Sequence, residues 1–162
     1  MSRRWSAHCK TEAPSQMADL LQQAGISLDA TASSPEEAVG ICGQLLVALG
    51  AVSPDYAEAM WEREQIFSSA IGGGFAIPHG TDESRVYVLF DQLVFVRFTE
   101  PLMWEGEEVK ACVGIASAGD GHVELLGNLA ELLLDDDARE LLLTATDPET
   151  IREVLTTGRM PS

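Results

Sequence analysis

The sequence predicts a single-domain α/β fold, a mixed and mostly parallel β-sheet with one antiparallel strand pair and helices on both faces. The first observation is the order of the segments, which runs helix, helix, strands, helix, helix, helix and is typical of a layered sheet with helices packed on it. The second is size and composition, since 162 residues with 46% hydrophobic content and interspersed charges suffice for one buried core.

The N-terminal part of the chain is predicted to contain little regular structure. Residues 1–16 show no periodicity and are expected to form a flexible extension, so that the domain covers residues 17–162. Residues 17–23 are predicted to form a short helix that Gly25 ends, and residues 26–30 an edge strand.

Two helices are predicted next, and they form a helical hairpin. Ser34 is expected to cap the first helix, with Pro35 in its first turn and Glu37 closing a capping box. Gly50 ends this helix. Its predicted buried face contains Ala38, Val39, Cys42, Leu45, Leu46 and Leu49. The second helix starts in the same way at Ser53-Pro54 and runs to about residue 67.

The strands of the central part are predicted from runs of β-branched and aromatic residues. Residues 86–90 lead into 92–98, and a further strand covers 108–116. The connection 99–107 contains Pro101 and Gly106, and its short length predicts an antiparallel pair.

Three helices are predicted to complete the chain. A helix over 122–134 buries a leucine face, residues 138–144 form a short second helix, and Asp147 caps a last helix that Gly158 closes. The acidic run 135–137 separates the helix over 122–134 from the helix over 138–144. We expect these charges to form a solvated surface rather than a calcium site.

Charge and composition exclude several classes of function. A net charge of −16 argues against nucleic acid and anionic membranes, because phosphate contacts need a basic face. It suits a basic protein partner, although simple solubility explains it equally well. No apolar run reaches the length of a membrane span, and no secretory signal is evident, so the protein is expected to be cytoplasmic, without direct membrane insertion.

Motifs for metals and for other catalytic sites are missing from the sequence. Cys9, Cys42 and Cys112 fit no zinc or haem spacing, and the latter two are expected to be reduced core thiols. The glycines at 72–74 are not followed by Gly-Lys-Ser/Thr, so they do not form a nucleotide loop, and no Gly-x-Ser-x-Gly nucleophile motif is present. No metal site is expected.

One histidine, His79, stands in an unusual local context. A short strand over 75–77 is predicted before it, Pro78 restricts the backbone there, and Gly80 allows a turn directly after it. Such a bend would hold an imidazole still at the surface. Taken alone, Pro-His-Gly is more often a turn without a function.

The wider sequence resembles a known family. The motif at 74–81 (GFAIPHGT) is similar to the phosphorylation site of enzyme IIA components of the bacterial phosphoenolpyruvate:sugar phosphotransferase system, in the mannitol/fructose class and most like the mannitol type. The resemblance extends from about residue 17 to the C-terminus. Further matching segments, in family order, are 28–32 (LDATA), 34–38 (SPEEA), 56–60 (YAEAM), 63–64 (RE), 113–116 (VGIA) and 122–126 (HVELL).

The resemblance implies roles for three residues. His79 would be the phosphohistidine nucleophile, attacking as a neutral ring whose other nitrogen keeps its proton. His122 opens a helix directly after a strand, where N–H groups and the positive end of the dipole gather, and in the family a histidine at this place lies beside the phosphorylated one. Arg63 would stabilise phosphoryl charge through its guanidinium. Read without the family, His122 is a helix-capping residue and Arg63 a surface ion pair.

The sequence does not assign a role in the site to three residues that follow the histidine. Thr81 and Ser84 could donate hydroxyls to the site, and turn chemistry explains both equally well. Arg85 is not assigned to the site.

The resemblance also implies a phosphocarrier that takes a phosphoryl group from HPr onto His79 and passes it to a IIB component, which works with a membrane IIC component. No metal or organic cofactor is implied. Mannitol is the favoured sugar because Thr81 and the residues to Arg85 continue in the mannitol-like way, with other polyols and fructose open. Two alternatives stand: a nitrogen-type regulatory phosphoprotein that moves no sugar, and an interaction module that is not phosphorylated.

Overall fold

The computed structural model describes residues 20–119 and 122–157, with the backbone alone at 122 and 123. The expected extension at 1–16 and the closing glycine at 158 lie outside the described residues. The strands are β1 (Leu21–Ala30), β2 (Ala70–Gly72), β3 (Phe75–Ala76), β4 (Gln92–Trp104) and β5 (Glu107–Ala116). The helices are α1 (Pro35–Ala48), α2 (Pro54–Ile66), α3 (His122–Leu132), α4 (Asp136–Thr144) and α5 (Pro148–Thr157), with a 3-10 helix at Glu83–Tyr87.

The five strands form one mixed sheet in the order β1-β4-β5-β3-β2. β1 pairs with β4 and β3 with β5 in parallel, whereas β4 and β5, and β2 and β3, are antiparallel. The pairing Leu21↔Leu93 places the start of β1 beside the start of β4, and Gln92↔Ala116 places the start of β4 beside the end of β5. The predicted fold class is confirmed, and β1 is the edge strand that the sequence predicts.

The core has two halves because alternate residues of the central strands face opposite sides of the sheet. Val94 packs with Leu46 of α1 and Met60 of α2 in one cluster. Its neighbour Phe95 packs in the other cluster, which is completed by α3, α4 and α5. The helices therefore cover both faces, as predicted. Cys42 and Cys112 are both buried and neither forms a disulfide, which confirms that they are core thiols.

The predicted start of α1 is confirmed with one difference in its cap. The Ser34 hydroxyl accepts from the N–H of Glu37 at 3.2 Å. The Glu37 carboxylate turns back to Ser33 instead of Ser34, accepting from the Ser33 N–H at 2.7 Å and hydroxyl at 2.9 Å. The box therefore closes one residue earlier, and Glu37 still satisfies a backbone donor at this helix start.

The predicted helix over 17–23 is wrong for its last three residues. Leu20 is helical, and residues 21–23 already belong to β1. Leu21 is fully buried beside Leu93, and the Gln22 amide donates to the Gln92 side chain at 3.0 Å. Sheet pairing thus outweighs the local helical preference of these residues.

The predicted strand over 86–90 is also wrong. Val86 and Tyr87 lie in the 3-10 helix, and Val88 makes an isolated bridge to Val52. Val86 is 80% exposed and Leu89 71%, so only Val88 of these three residues belongs to the core. The pattern misled because a short apolar run does not reveal whether it is buried.

The connection between β4 and β5 is shorter than predicted. β4 continues through Pro101 to Trp104, and the turn consists of Glu105 and Gly106, both with positive φ (51° and 87°). Two such residues suit the tight turn of a hairpin. Pro101 is tolerated inside β4 because it falls where the pairing shifts between Arg97 and Leu102. The predicted antiparallel pair is confirmed.

Candidate active site

His79 lies three residues after the end of β3 and beside the end of β5. The Ile115 N–H donates to the Pro78 carbonyl at 3.0 Å, and His79 forms an isolated parallel bridge with Ile115. β3 itself is shorter than predicted and ends at Ala76. The backbone around the histidine thus extends the sheet, and this pairing fixes the position of the His79 Cα.

The imidazole of His79 is fixed in one tautomer by its own backbone. The ring Nδ1 is 2.8 Å from the carbonyl oxygen of Ile77. A carbonyl oxygen can only accept, so Nδ1 carries the proton and the lone pair is on Nε2. The ring is partly buried. This is the state that nucleophilic attack by a histidine requires.

Tyr56 of α2 links the two segments around the histidine. Its hydroxyl donates to the Ile115 carbonyl at 2.8 Å and accepts from the Gly80 N–H at 2.9 Å. The side chain is 3% exposed. Burial raises the pKa of Tyr56 to about 12, against a smaller lowering by the Gly80 N–H. Tyr56 therefore remains a neutral phenol and can serve as donor and acceptor together.

Gly80 is required because Tyr56 approaches its backbone closely. A Cβ at position 80 would lie 2.6 Å from Tyr56 Cε1 and would also collide with the Ser84 hydroxyl. Real Cβ atoms do not approach other heavy atoms so closely, so any side chain here would move the backbone that follows His79.

The hydroxyls of Thr81 and Ser84 are engaged in the turn. Ser84 Oγ donates to the Thr81 carbonyl at 2.7 Å, and the Ser84 N–H donates to Thr81 Oγ1 at 3.2 Å. Ser84 is buried. Of the two explanations left open by the sequence, turn chemistry is the one that these contacts support.

A small cavity adjoins His79. Its volume of about 10 Å³ is that of a site for one water molecule. It is lined by Tyr56, His79, Gly80, Thr81, Asp82, Arg85, Ile115, Ser117 and Leu126.

The two arginines considered from the sequence lie in different places. Arg85 lines the cavity; its Nη1 donates to the Gly119 carbonyl at 3.2 Å and its Nη2 is 3.6 Å from Asp82 Oδ1. Arg63 is not among the residues that line the cavity. Its Nη1 donates to the Phe67 carbonyl at 2.7 Å, and its guanidinium lies 5.8 Å from the centre of the Phe67 ring.

His122 is the first residue of α3, and its side chain is not described. Leu126, four residues later in the same helix, lines the cavity. The segment 117–121 connects the end of β5, beside His79, to this helix. The backbone thus starts α3 at the same edge of the sheet as His79.

Glu64 was missed by sequence reasoning. It is 4% exposed, and its Oε2 accepts from the Ser69 N–H and from the Trp104 indole, each at 2.8 Å. The Ser69 carbonyl accepts in turn from the Ile77 N–H at 3.0 Å. Glu64 thereby supports the residue whose carbonyl orients His79. The available signal was the spacing of Tyr56, Met60 and Glu64, which places all three on one helical face.

An acidic groove lies beside the cavity and shares Thr81 with it. Its carboxylates come from Asp55, Glu58 and Glu62 of α2 and from Glu83 of the 3-10 helix. These side chains are exposed. A surface of this charge favours a basic partner.

Residues 20–119 and 122–157 contain neither a cluster of metal-ligating side chains nor a membrane-spanning helix. Within these ranges no group of three or more His, Cys, Asp and Glu side chains is placed to hold a metal ion. Within the same ranges, no helix has the length and apolar character needed to span a membrane.

Comparison with known proteins assigns the chain to a family. The family model described as the phosphoenolpyruvate-dependent sugar phosphotransferase system, EIIA 2, matches residues 19–158. The chain is 36% identical over 138 residues to the mannitol-specific phosphotransferase enzyme IIA component of Staphylococcus aureus (strain Mu50), covering 85% of this chain and 96% of the relative.

Solved structures agree with this match. The chain is similar to one chain of the complex of enzyme IIAMTL and phosphorylated enzyme IIBMTL from Escherichia coli, with a TM-score of 0.77, 30% identity, and coverage of 86% and 100%. It is also similar to the nitrogen regulatory protein IIA-Ntr of Neisseria meningitidis, with a TM-score of 0.75, 27% identity, and coverage of 86% and 99%. The chain therefore belongs to the EIIA 2 family and is a phosphotransferase component of the phosphoenolpyruvate-dependent sugar phosphotransferase system.

Proposed function

We propose that this protein is a cytoplasmic phosphocarrier of the mannitol type, which accepts a phosphoryl group from phospho-HPr on Nε2 of His79 and passes it to a IIB component. The observation that carries the proposal is the hydrogen bond of 2.8 Å between His79 Nδ1 and the Ile77 carbonyl, which leaves Nε2 as the nucleophile. The name of the Staphylococcus aureus relative supports mannitol, and the solved complex with IIB supports the acceptor.

The transfer from HPr exchanges one N–P bond for another. The lone pair of His79 Nε2 forms the new bond to phosphorus while the N–P bond of the donor histidine breaks, and its electron pair stays on the donor nitrogen. The His79 Nδ1 proton remains in place, so the positive charge moves from the donor ring to the His79 ring. The Ile77 carbonyl stabilises that charge by accepting the hydrogen bond from the Nδ1–H group. Transfer to a IIB cysteine has the same form, with a thiolate as the attacking group.

His122 and Arg63 are the residues proposed to stabilise the phosphoryl group. His122 is supported by the start of α3 at the edge of the sheet where His79 lies, since a helix N-terminus favours negative charge. Arg63 would have to leave its contact with the Phe67 carbonyl to reach the site. Its contribution would therefore belong to the phosphorylated state or to a complex with a partner.

The acidic groove is proposed to receive the basic rim of HPr. Exposed apolar side chains lie in and directly after the 3-10 helix that forms one side of the groove, among them Val86 within it and Leu89 after it. Apolar side chains beside a charged rim are typical of a transient protein interface. With a net charge of −16, neither nucleic acid nor an anionic membrane is a proposed partner. The membrane component would be IIC, acting through IIB.

A second candidate function is regulatory. The similarity to a nitrogen regulatory IIA protein supports a phosphoprotein that controls other proteins without moving sugar. Other polyols and fructose also remain as substrates of a sugar-transporting system. Transfer to IIB and formation of a sugar phosphate distinguish these cases.

The experiment is phosphorylation in vitro with phosphoenolpyruvate, enzyme I and HPr. We expect an acid-labile, base-stable phosphoryl group on the wild type and on His8→Ala, and none on His79→Ala. Addition of a IIB component should then remove the label, and membranes containing IIC should produce mannitol phosphate. A labelled protein that transfers its phosphoryl group to no sugar-specific IIB component supports the regulatory function. No label on folded wild type favours an unphosphorylated interaction module.

A further inference from the structure

We propose that Arg85 is a phosphoryl-binding residue of the His79 site. This inference rests on the proposed function and adds to it a cation from the turn after the histidine. The sequence did not assign this arginine to the site. Its placement in the structure is the reason to do so.

Arg85 is positioned at the cavity by contacts on two sides. Its Nη1 donates to the carbonyl of Gly119, in the segment that leads to α3, at 3.2 Å. Its Nη2 lies 3.6 Å from the carboxylate of Asp82, within its own turn. The guanidinium thus joins the turn that follows His79 to the segment before α3, and its side chain is 30% exposed.

Arg85 supplies the positive charge that a phosphoryl group at this cavity would need. Among the described residues lining the cavity, Arg85 is the single lysine or arginine. A phosphoryl group on His79 brings close to two negative charges into a protein with a net charge of −16. A guanidinium presents a planar fork of donors that matches phosphoryl oxygens. Arg85 therefore supplies positive charge where the transferred group must sit.

Arg85 can exchange the Asp82 carboxylate for a phosphoryl group at little cost. The Asp82 side chain is 78% exposed, so it can turn into water when a phosphoryl group arrives. A solvent-exposed ion pair is weak, and breaking it costs little. The same carboxylate keeps the guanidinium near the cavity before phosphorylation.

Arg139 provides a matched control on another part of the chain. Its guanidinium likewise donates to a backbone carbonyl, that of Leu133 at 2.8 Å, and pairs with an aspartate three residues before it, Asp136. Its side chain is 24% exposed, close to the value for Arg85. It does not line the His79 cavity.

The test compares rates of phosphoryl transfer from phospho-HPr to wild type, Arg85→Gln, Arg85→Lys and Arg139→Gln. We expect Arg85→Gln to lower kcat by about 10- to 100-fold with little change in the KM for phospho-HPr. Arg85→Lys should fall between Arg85→Gln and wild type, because lysine keeps the charge and loses the fork. Arg139→Gln should match wild type. The ³¹P resonance of phosphorylated His79 should shift in Arg85→Lys, which a purely structural role would not cause.

Three results would overturn the inference. A folded Arg85→Gln protein that transfers at the wild-type rate removes Arg85 from the site while leaving the phosphocarrier function intact. A wild type that takes no label removes both proposals together. If Arg85→Gln does not fold, Arg85→Lys decides: a wild-type kcat and an unshifted ³¹P resonance in that variant count against the inference.

Discussion

Tyr56 and Gly80, 24 positions apart, are joined by a hydrogen bond of 2.9 Å from the Gly80 N–H to the phenol oxygen. The same phenol donates to the Ile115 carbonyl. One side chain of α2 thus connects the residue after His79 with the end of β5. The relationship makes Tyr56 a positioning residue for the histidine.

Replacement of Tyr56 by phenylalanine should destabilise the protein and slow phosphorylation. The variant removes the phenol oxygen from the Gly80 N–H and the phenol donor from the Ile115 carbonyl, and we expect a loss of about 1–3 kcal/mol. Urea unfolding measures the loss, and labelling by phospho-HPr measures the rate. Tyr87→Phe is the control, since Tyr87 is 38% exposed and should change stability by less than about 0.5 kcal/mol. Equal stabilities of Tyr56→Phe and wild type would contradict the prediction.

Alkaline pH should weaken the fold through the same side chain. The pKa of Tyr56 rises from 10.0 to about 12 on folding, so the folded state keeps a proton that the unfolded state loses. Its contribution to stability is complete below pH 10 and is lost as pH rises toward 12, by at most about 1.4 kcal/mol per pH unit. The measurement is the difference in free energy of unfolding between wild type and Tyr56→Phe. That difference should shrink from pH 10 to pH 12, and a constant difference would show that Tyr56 does not titrate abnormally.

Substitution of Gly80 by alanine should displace the histidine. The new Cβ would lie 2.6 Å from Tyr56 Cε1, so we expect a loss of about 1–3 kcal/mol and slower labelling of His79. Gly40→Ala is the matched control, because a Cβ at position 40 of α1 meets nothing within 4 Å. Alanine there should raise stability by about 0.5–1 kcal/mol, as expected inside a helix. If both variants behave alike, the close approach at Gly80 has no consequence.

Reversal of charge in the acidic groove should weaken docking of HPr. The double variant Glu58→Lys/Glu62→Lys should raise the KM for phospho-HPr about tenfold, with less effect at high salt, because screening weakens exposed charges. Both side chains are exposed, so the fold should be unaffected. Glu131→Lys on α3, on the opposite face of the sheet, is the control and should leave the KM unchanged. A KM for the double variant equal to that of wild type would remove the groove from the interface.

Sequence reasoning succeeded where a local signal determines the structure. Ser34 and Pro35 predicted the start of α1 because capping depends on adjacent residues. Sequence reasoning also predicted a bend at His79, whereas the structure continues the sheet through His79 and turns only at residues 81–84. It failed at Val86, which is apolar and 80% exposed, and at Leu21, whose strand is created by pairing with Leu93 far along the chain.

Residues that act over a distance could not be found in this way. Tyr56 was assigned to a helix, yet its hydroxyl contacts are with residues that the fold alone brings near. The sequence predicts Glu64 to be a surface glutamate after Arg63. Its burial is explained only by its hydrogen bonds to Ser69 and Trp104. Arg85 could be assigned to the cavity only after the turn containing it was known.

The parallel pairing of β1 with β4 has a consequence for synthesis on the ribosome. Gln22 of β1 and its hydrogen-bond partner Gln92 are separated by 70 residues. At about 5–20 residues per second, the ribosome needs roughly 4–14 s to make that length of chain. During this delay the backbone N–H and C=O groups of β1 have no partner strand, and the emerging chain is open to pairing with other nascent chains. The tight hairpin of β4 and β5 closes quickly once made, and β1 can then add to an edge that already exists.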